Sequence, residues 1–125
     1  MKEGQLRLCF DLDGTICDLR KPGQTYADVL PKPGAVEFLR MVREAGHYII
    51  INTARGMGTA AANEGAMMKR VGRVTLDWLE QHGVVYDEIY FAKPNAHLTI
   101  DDRSLRFEGW SSLTLEKIHA LAKEE

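Results

Sequence analysis

The sequence has little cysteine, no excess of basic charge and no long apolar run, and each absence removes a class of protein. Its 125 residues include 2 Cys. Cys9 and Cys17 form no Cys-x-x-Cys, and His47, His82, His97 and His119 lack metal-ligand spacing, so neither a disulfide framework nor a zinc site is expected. Both cysteines read as free thiols. With no signal-peptide pattern in the polar opening Met1-Lys2-Glu3-Gly4-Gln5, they point to a reducing, cytoplasmic setting. The balance of 16 Lys+Arg against 18 Asp+Glu gives a net charge of -2 and no electrostatic footprint for nucleic acid. No window approaches the run of about 20 apolar residues that a membrane span needs. No repeat, linker or low-complexity tract divides the chain, so residues 1–125 are expected to form one domain. A chain of this length buries roughly two thirds of its unfolded surface and can hold its own core.

What is present is a succession of short elements. Leu6-Arg7-Leu8-Cys9-Phe10 reads as a strand that ends in acidic and Gly residues. The pattern is then lost from Cys17 to Pro31. Pro33-Gly34 opens a helix that carries Val36, Leu39 and Val42 on one face and stops at about Ala45 before Gly46. Tyr48-Ile49-Ile50-Ile51, a β-branched run, predicts a central parallel strand buried on both faces. The stretch from Arg55 to Met68, with Gly56, Gly58 and Gly65 among alanines, has no clear assignment. Val71, Val74, Thr75, Trp78 and Leu79 predict a second helix ending near His82. Glu88-Ile89-Tyr90-Phe91 and His97-Leu98-Thr99-Ile100 read as two further strands, and Leu113 to Lys123 as a closing helix. The order implies a three-layer α/β/α, Rossmann-like domain with a mainly parallel sheet.

In such a sheet, ligands bind beyond the carboxyl ends of the strands. There stand Asp11 and Asp13, then Asn52 and Thr53, then Lys93, then Asp101 and Asp102. Taken alone, an Asp-x-Asp is more often a solvated turn; the full set of strand-end groups reverses that reading. Two carboxylates about 4 Å apart repel by about 4 kcal/mol at an effective dielectric near 20, so the four would need a hard dication, best Mg²⁺. Thr53 and Lys93 match phosphate oxygens, and Mg²⁺ with phosphate means phosphoryl transfer. Gly14 lets the chain turn so that Asp11 and Asp13 meet one substrate from different angles. Asp11 is then the nucleophile, and Asp13 the acid for the leaving group and the base for the hydrolytic water. Arg55 either orients the substrate phosphate or pairs with a carboxylate. Lys69, Arg70 and Arg73 read first as a solvated helix face, and second as a contact for an anionic substrate.

Phe10-Asp11-Leu12-Asp13-Gly14-Thr15, Asn52-Thr53-Ala54-Arg55, Lys93-Pro94 and Ile100-Asp101-Asp102-Arg103 resemble, in order, the four motifs of the haloacid dehalogenase-like (HAD) superfamily of Mg²⁺-dependent phosphohydrolases. The run Thr53-Ala54-Arg55-Gly56-Met57 and the ending Asp101-Asp102-Arg103-Ser104 also resemble small bacterial phosphatases of capsular polysaccharide biosynthesis. The resemblance implies Asp11 as nucleophile, Asp13 as acid and base, Thr53 as phosphate ligand and Lys93 as stabiliser of the phosphoaspartate; the substrate-binding set is Thr53, Lys93 and, on the first of its two roles, Arg55. It implies Mg²⁺ on Asp11, the Asp13 carbonyl and the pair Asp101 and Asp102, with Asp102 favoured as the direct ligand.

Members of the superfamily commonly insert a cap after the first motif or between the second and third; here the first interval has room only for a short flap, and the second is mostly one helix. A capless site implies a large substrate or cover from a second copy, hence a homo-oligomer. The expected activity is a phosphomonoesterase acting on a sugar phosphate or related small metabolite, with nucleotides or a macromolecular phosphoester as the alternative. A receiver-like signalling domain would place the phosphorylated Asp on the middle strand, where Asn52-Thr53 stands. An inert phosphate-binding module would be expected to lack one of the catalytic groups.

Overall fold

The structure, a computed structural model, describes residues 4–56 and 63–122. Met57 and Gly58, the opening Met1 to Glu3 and the end of the closing helix at Lys123 lie outside the described residues. Among the described residues, β1 (Arg7–Asp11), β2 (Tyr48–Asn52) and β3 (Glu88–Tyr90) form a parallel sheet in that order. Cys9 lies opposite Ile50 and Asp11 opposite Asn52, while Asn52 also pairs with Tyr90. This register aligns the carboxyl ends of all three strands. The fold is the expected α/β architecture with a parallel sheet and no cap evident in the described residues.

Helix α1 (Ala35–Glu44) follows Gly34, whose φ of 89° suits glycine, and buries Ala35, Phe38, Leu39 and Val42. After it come α2 (Glu64–Met67), a π-helical turn (Met68–Gly72) and α3 (Arg73–Gln81). Asn63 caps α2 by accepting from the Ala66 N–H at 2.9 Å. The helix predicted up to His82 thus has two further helical pieces before it. Thr114 caps α4 (Leu115–Leu121) in the same way, from the Lys117 N–H. No described helix is long and apolar enough to cross a membrane.

The core joins Ile49 and Ile51 to Leu39 and Val42 of α1, Trp78 and Leu79 of α3, and Leu12 and Ile16 of the first loop. Burying each such aliphatic side chain contributes about 1.5–3 kcal/mol. The expectation that β2 is buried on both faces is only half met. Ile49 and Ile51 are fully buried, but Ile50 on the opposite face is half-buried and its neighbour Cys9 is exposed. That face carries polar partners instead: Arg7 pairs with Glu88 at 3.3 Å and lies over the Tyr48 ring.

The strand expected at His97–Ile100 does not form. Leu98 and Ile100 are 69% and 92% exposed, and among the described residues β1 pairs only with β2. Alternation yields a strand only where a neighbouring strand and an apolar face receive it, and among the described residues neither is beside this run.

The segment after β1 is a loop closed at its base. Asp18 N–H donates to the Leu30 carbonyl and Lys32 N–H to the Ile16 carbonyl, while Trp78 Nε1 donates to the Val29 carbonyl at 2.8 Å. The flap is thereby tied to α3 beside the strand ends.

Candidate active site

The site begins where β1 stops. The Leu12 carbonyl accepts from the N–H groups of Ile16 at 2.9 Å and Cys17 at 3.1 Å, and Gly14, at φ 85°, donates to the Cys17 carbonyl. This tight turn needs a glycine at its positive φ. Leu12 is fully buried and anchors the turn, while Asp11 and Asp13 on either side of it remain partly exposed. Trp110 steadies the turn from outside. Its Nε1 donates to the Thr15 carbonyl at 2.9 Å, and its ring lies against Phe10, Phe38 and Phe107.

The second and third strand ends are stitched together by backbone. Thr53 N–H donates to the Tyr90 carbonyl at 2.9 Å, and Lys93 N–H donates to the Thr53 carbonyl at 3.2 Å. Lys93 is thus placed so that its Nζ reaches Asp11 Oδ1 at 2.9 Å. Thr53 is buried, and its Oγ1 accepts from the Arg55 N–H at 3.1 Å. That bond leaves the hydroxyl proton free to be given elsewhere.

Arg55 is the most enclosed charge here, its side chain 0% exposed. Its Nε and Nη2 fork onto Asp13 at 3.0 Å and 2.8 Å, Nη1 donates to Thr75 Oγ1 at 2.9 Å, and the guanidinium lies 4.1 Å from the Tyr26 ring centre. Of the two roles weighed for Arg55, pairing with a carboxylate is the one the geometry displays. Beside it, burial first and then the Asp13 charge push the Cys17 thiol up to about 12. Cys17 is therefore held as a thiol and is no nucleophile.

Four expected residues thus come together with Arg55: Asp11, Asp13, Thr53 and Lys93. Asp101 and Asp102 do not join them. Both are exposed, and Asp101 accepts from the Arg103 N–H, which is the first cause of its lowered pKa. Among the described residues no three ligand-type side chains stand close enough to hold a metal. Mg²⁺ asks for only one or two carboxylates beside water and substrate oxygens, so the hard oxygens of Asp11 and Asp13 suit it. The acidic pair is the part of the expected ligand set that stands apart.

Sequence reasoning gave no role to Tyr26 or Thr75. Thr75 carries no motif and stands at a core position of its predicted helix, whereas Tyr26 is the one aromatic between Cys17 and Pro31, which is the available signal for it.

No protein-family model matches the chain, and no curated protein does. Among solved structures, a structural-genomics target from Vibrio cholerae is 36% identical with a TM-score of 0.81, over 94% of this chain and 96% of its own. A D,D-heptose 1,7-bisphosphate phosphatase from B. bronchiseptica, complexed with magnesium and phosphate, is 16% identical with a TM-score of 0.49, over 75% of this chain and 54% of its own.

Proposed function

We propose, for a chain that belongs to one family with the Vibrio cholerae protein, a phosphomonoesterase of the haloacid dehalogenase-like type that works through an aspartyl phosphate on Asp11. The observation that carries this reading is the Asp11–Leu12–Asp13 turn, with Lys93 on the first carboxylate at 2.9 Å and Arg55 forked on the second. Asp11 Oδ attacks phosphorus as the ester P–O bond breaks, and Asp13 gives its proton to the departing alkoxide. Asp13 then takes a proton from water as that water attacks the phosphoaspartate, which releases phosphate and restores Asp11. Lys93 offsets charge on Asp11 and the phosphoryl oxygens, and Thr53 offers its hydroxyl proton to one of them. Arg55 orients Asp13, and one arm of its fork must open when a carboxyl oxygen carries the proton.

Mg²⁺ belongs to this reading: Asp11 and the Asp13 carbonyl would hold it, where it would supply positive charge against the phosphoryl oxygens, while Asp101 and Asp102 stand apart from that place. A small sugar phosphate of bacterial capsule synthesis is the proposed substrate, a cytoplasmic setting the proposed compartment, and a homo-oligomer the proposed assembly. Size-exclusion chromatography with light scattering tests the assembly, and a strict monomer counts against it.

The reading is tested with a generic aryl phosphate. Phosphate release should need a divalent metal, stop with a chelator and vanish in Asp11→Asn. Full activity in that variant removes Asp11 as nucleophile. Asp13→Asn should lose most on alkyl esters, whose leaving groups need the proton. Equal losses on aryl and alkyl esters contradict the acid role.

A further inference from the structure

Next to Asp13 the structure holds a cavity of about 470 Å³, lined by Asp13, Arg20, Tyr26, Arg55, Arg70 and Asn95 among others. Its volume lies within the roughly 300–1,000 Å³ of small-molecule sites. Its charge is unbalanced, with three guanidinium groups against one carboxylate. Arg55 is spent on Asp13 through its fork. Arg20 and Arg70 form no ion pair among the described residues, and both are exposed.

Three separate elements deliver these arginines. Arg20 comes from the flap, where its guanidinium lies 4.9 Å from the Tyr26 ring centre, and the same ring takes Arg55 at 4.1 Å. Tyr26 therefore holds two cations about a single aromatic plane, Arg55 paired with a carboxylate and Arg20 with only the Gln24 carbonyl, which accepts from its Nη1 at 3.5 Å. Arg70 comes from the π-helical turn at Met68–Gly72, a local departure from the α-helix of a kind often found at functional sites. Two uncompensated cations in one concavity repel each other and raise the local concentration of anions. A guanidinium recognises phosphate or carboxylate by paired N–H donors.

We infer that this cavity binds a second anionic group of the substrate, a phosphate or a carboxylate, through Arg20 and Arg70, so that the enzyme prefers doubly anionic phosphate esters. The inference rests on the proposed phosphatase reading for the position of the reacting phosphate at Asp11. The anion site itself can be tested without turnover. Arg20 and Arg70 are specificity residues, and Tyr26 positions Arg20.

The test is calorimetric titration of the full chain, without divalent metal, using methylenebisphosphonate, phosphonoacetate and inorganic phosphate. The bisphosphonate should bind about tenfold or more tightly than phosphate, a difference of about 1.4 kcal/mol. Arg20→Gln and Arg70→Gln should each remove most of that advantage, and the Lys variants should keep part of it. Phosphonoacetate matching the bisphosphonate assigns the site to any second anion, whereas a response to the bisphosphonate alone assigns it to phosphate. Equal binding of mono- and bis-anions, or an advantage unchanged in both Gln variants, overturns the inference. Because both arginines are exposed, their replacement should leave the melting temperature near that of the parent chain, which separates lost binding from lost fold. In turnover, a sugar bisphosphate should exceed its monophosphate in kcat/KM by about tenfold. If the anion pattern holds but no ester is hydrolysed, the phosphatase reading fails alone. If esters are hydrolysed without preference and the titrations show none, the anion site fails alone.

Discussion

Replacing Arg55 by Met tests the reasoning about the site through stability as well as activity. The Arg55 side chain is 0% exposed, and it forks onto Asp13, donates to Thr75 Oγ1 and lies against the Cys17 sulfur. Methionine fills much of the volume but strands the Asp13 carboxylate and leaves the buried Thr75 hydroxyl without its donor. Breaking a buried ion pair from one side costs about 3–5 kcal/mol. Asp13 is 24% exposed, so water relieves part of that, and the low end, about 3 kcal/mol, applies. For a chain of this size that lowers the melting temperature by about 10–15 °C. Thermal unfolding followed by circular dichroism reads it directly. Combining Arg55→Met with Asp13→Asn removes the stranded charge, so the double variant should be more stable than the sum of the two losses by about 1 kcal/mol or more. In turnover, Arg55→Met should lose more on alkyl than on aryl esters, since it acts by orienting Asp13. An Arg55→Met chain that melts within about 3 °C of the parent would refute the argument that this enclosed pair contributes to stability.

Three further outcomes follow from other contacts. His47 is buried and its Nδ1 accepts the Leu6 N–H at 3.1 Å, while burial and then His119 lower its pKa. The neutral form is favoured in the folded state, so its contribution is complete above about pH 6.5 and is lost as pH falls below that value. Melting temperatures should drop as pH falls below about 6.5, and less so in His47→Gln; an unchanged drop in that variant rejects His47 as a source. Trp110→Phe keeps the ring packing but leaves the Thr15 carbonyl without its donor, and should cost about 1–3 kcal/mol in urea unfolding. Gly14→Ala finds space, since Leu19 Cδ2 is 3.4 Å from the added carbon, but forces alanine to φ 85°. It should cost about 1–2 kcal/mol and slow turnover more than its stability loss accounts for, measured below its melting point.

The sheet and the candidate site at its strand ends were legible because their signals are local. Ile49 and Ile51 mark β2 by β-branched continuity, Gly34 and Gly46 bracket α1, and the chemistry-bearing residues follow directly on strand ends. Leu98 and Ile100 carried the same alternation as a true strand, yet a strand also needs a neighbour, and sequence alternation says nothing of one. Ile50 misled for a related reason, because a continuous apolar run does not tell which face is covered. The choice between two roles for Arg55 depended on distances across the chain, to Asp13 and Thr75, that no spacing rule encodes. Tyr26 was hidden more deeply, since its link to the site runs through a flap whose path is set by the bond from Trp78 to the Val29 carbonyl.

The central claim is that Asp11 carries the phosphoryl group. Acid-quenching a single turnover with enzyme in excess, followed by digestion and peptide mass spectrometry, measures it most directly. The account predicts one phosphoryl group on Asp11, present early in the turnover and gone at its end. Phosphate release in a single turnover with no phosphoryl group on Asp11 at any time, or with the group on another residue, would contradict it.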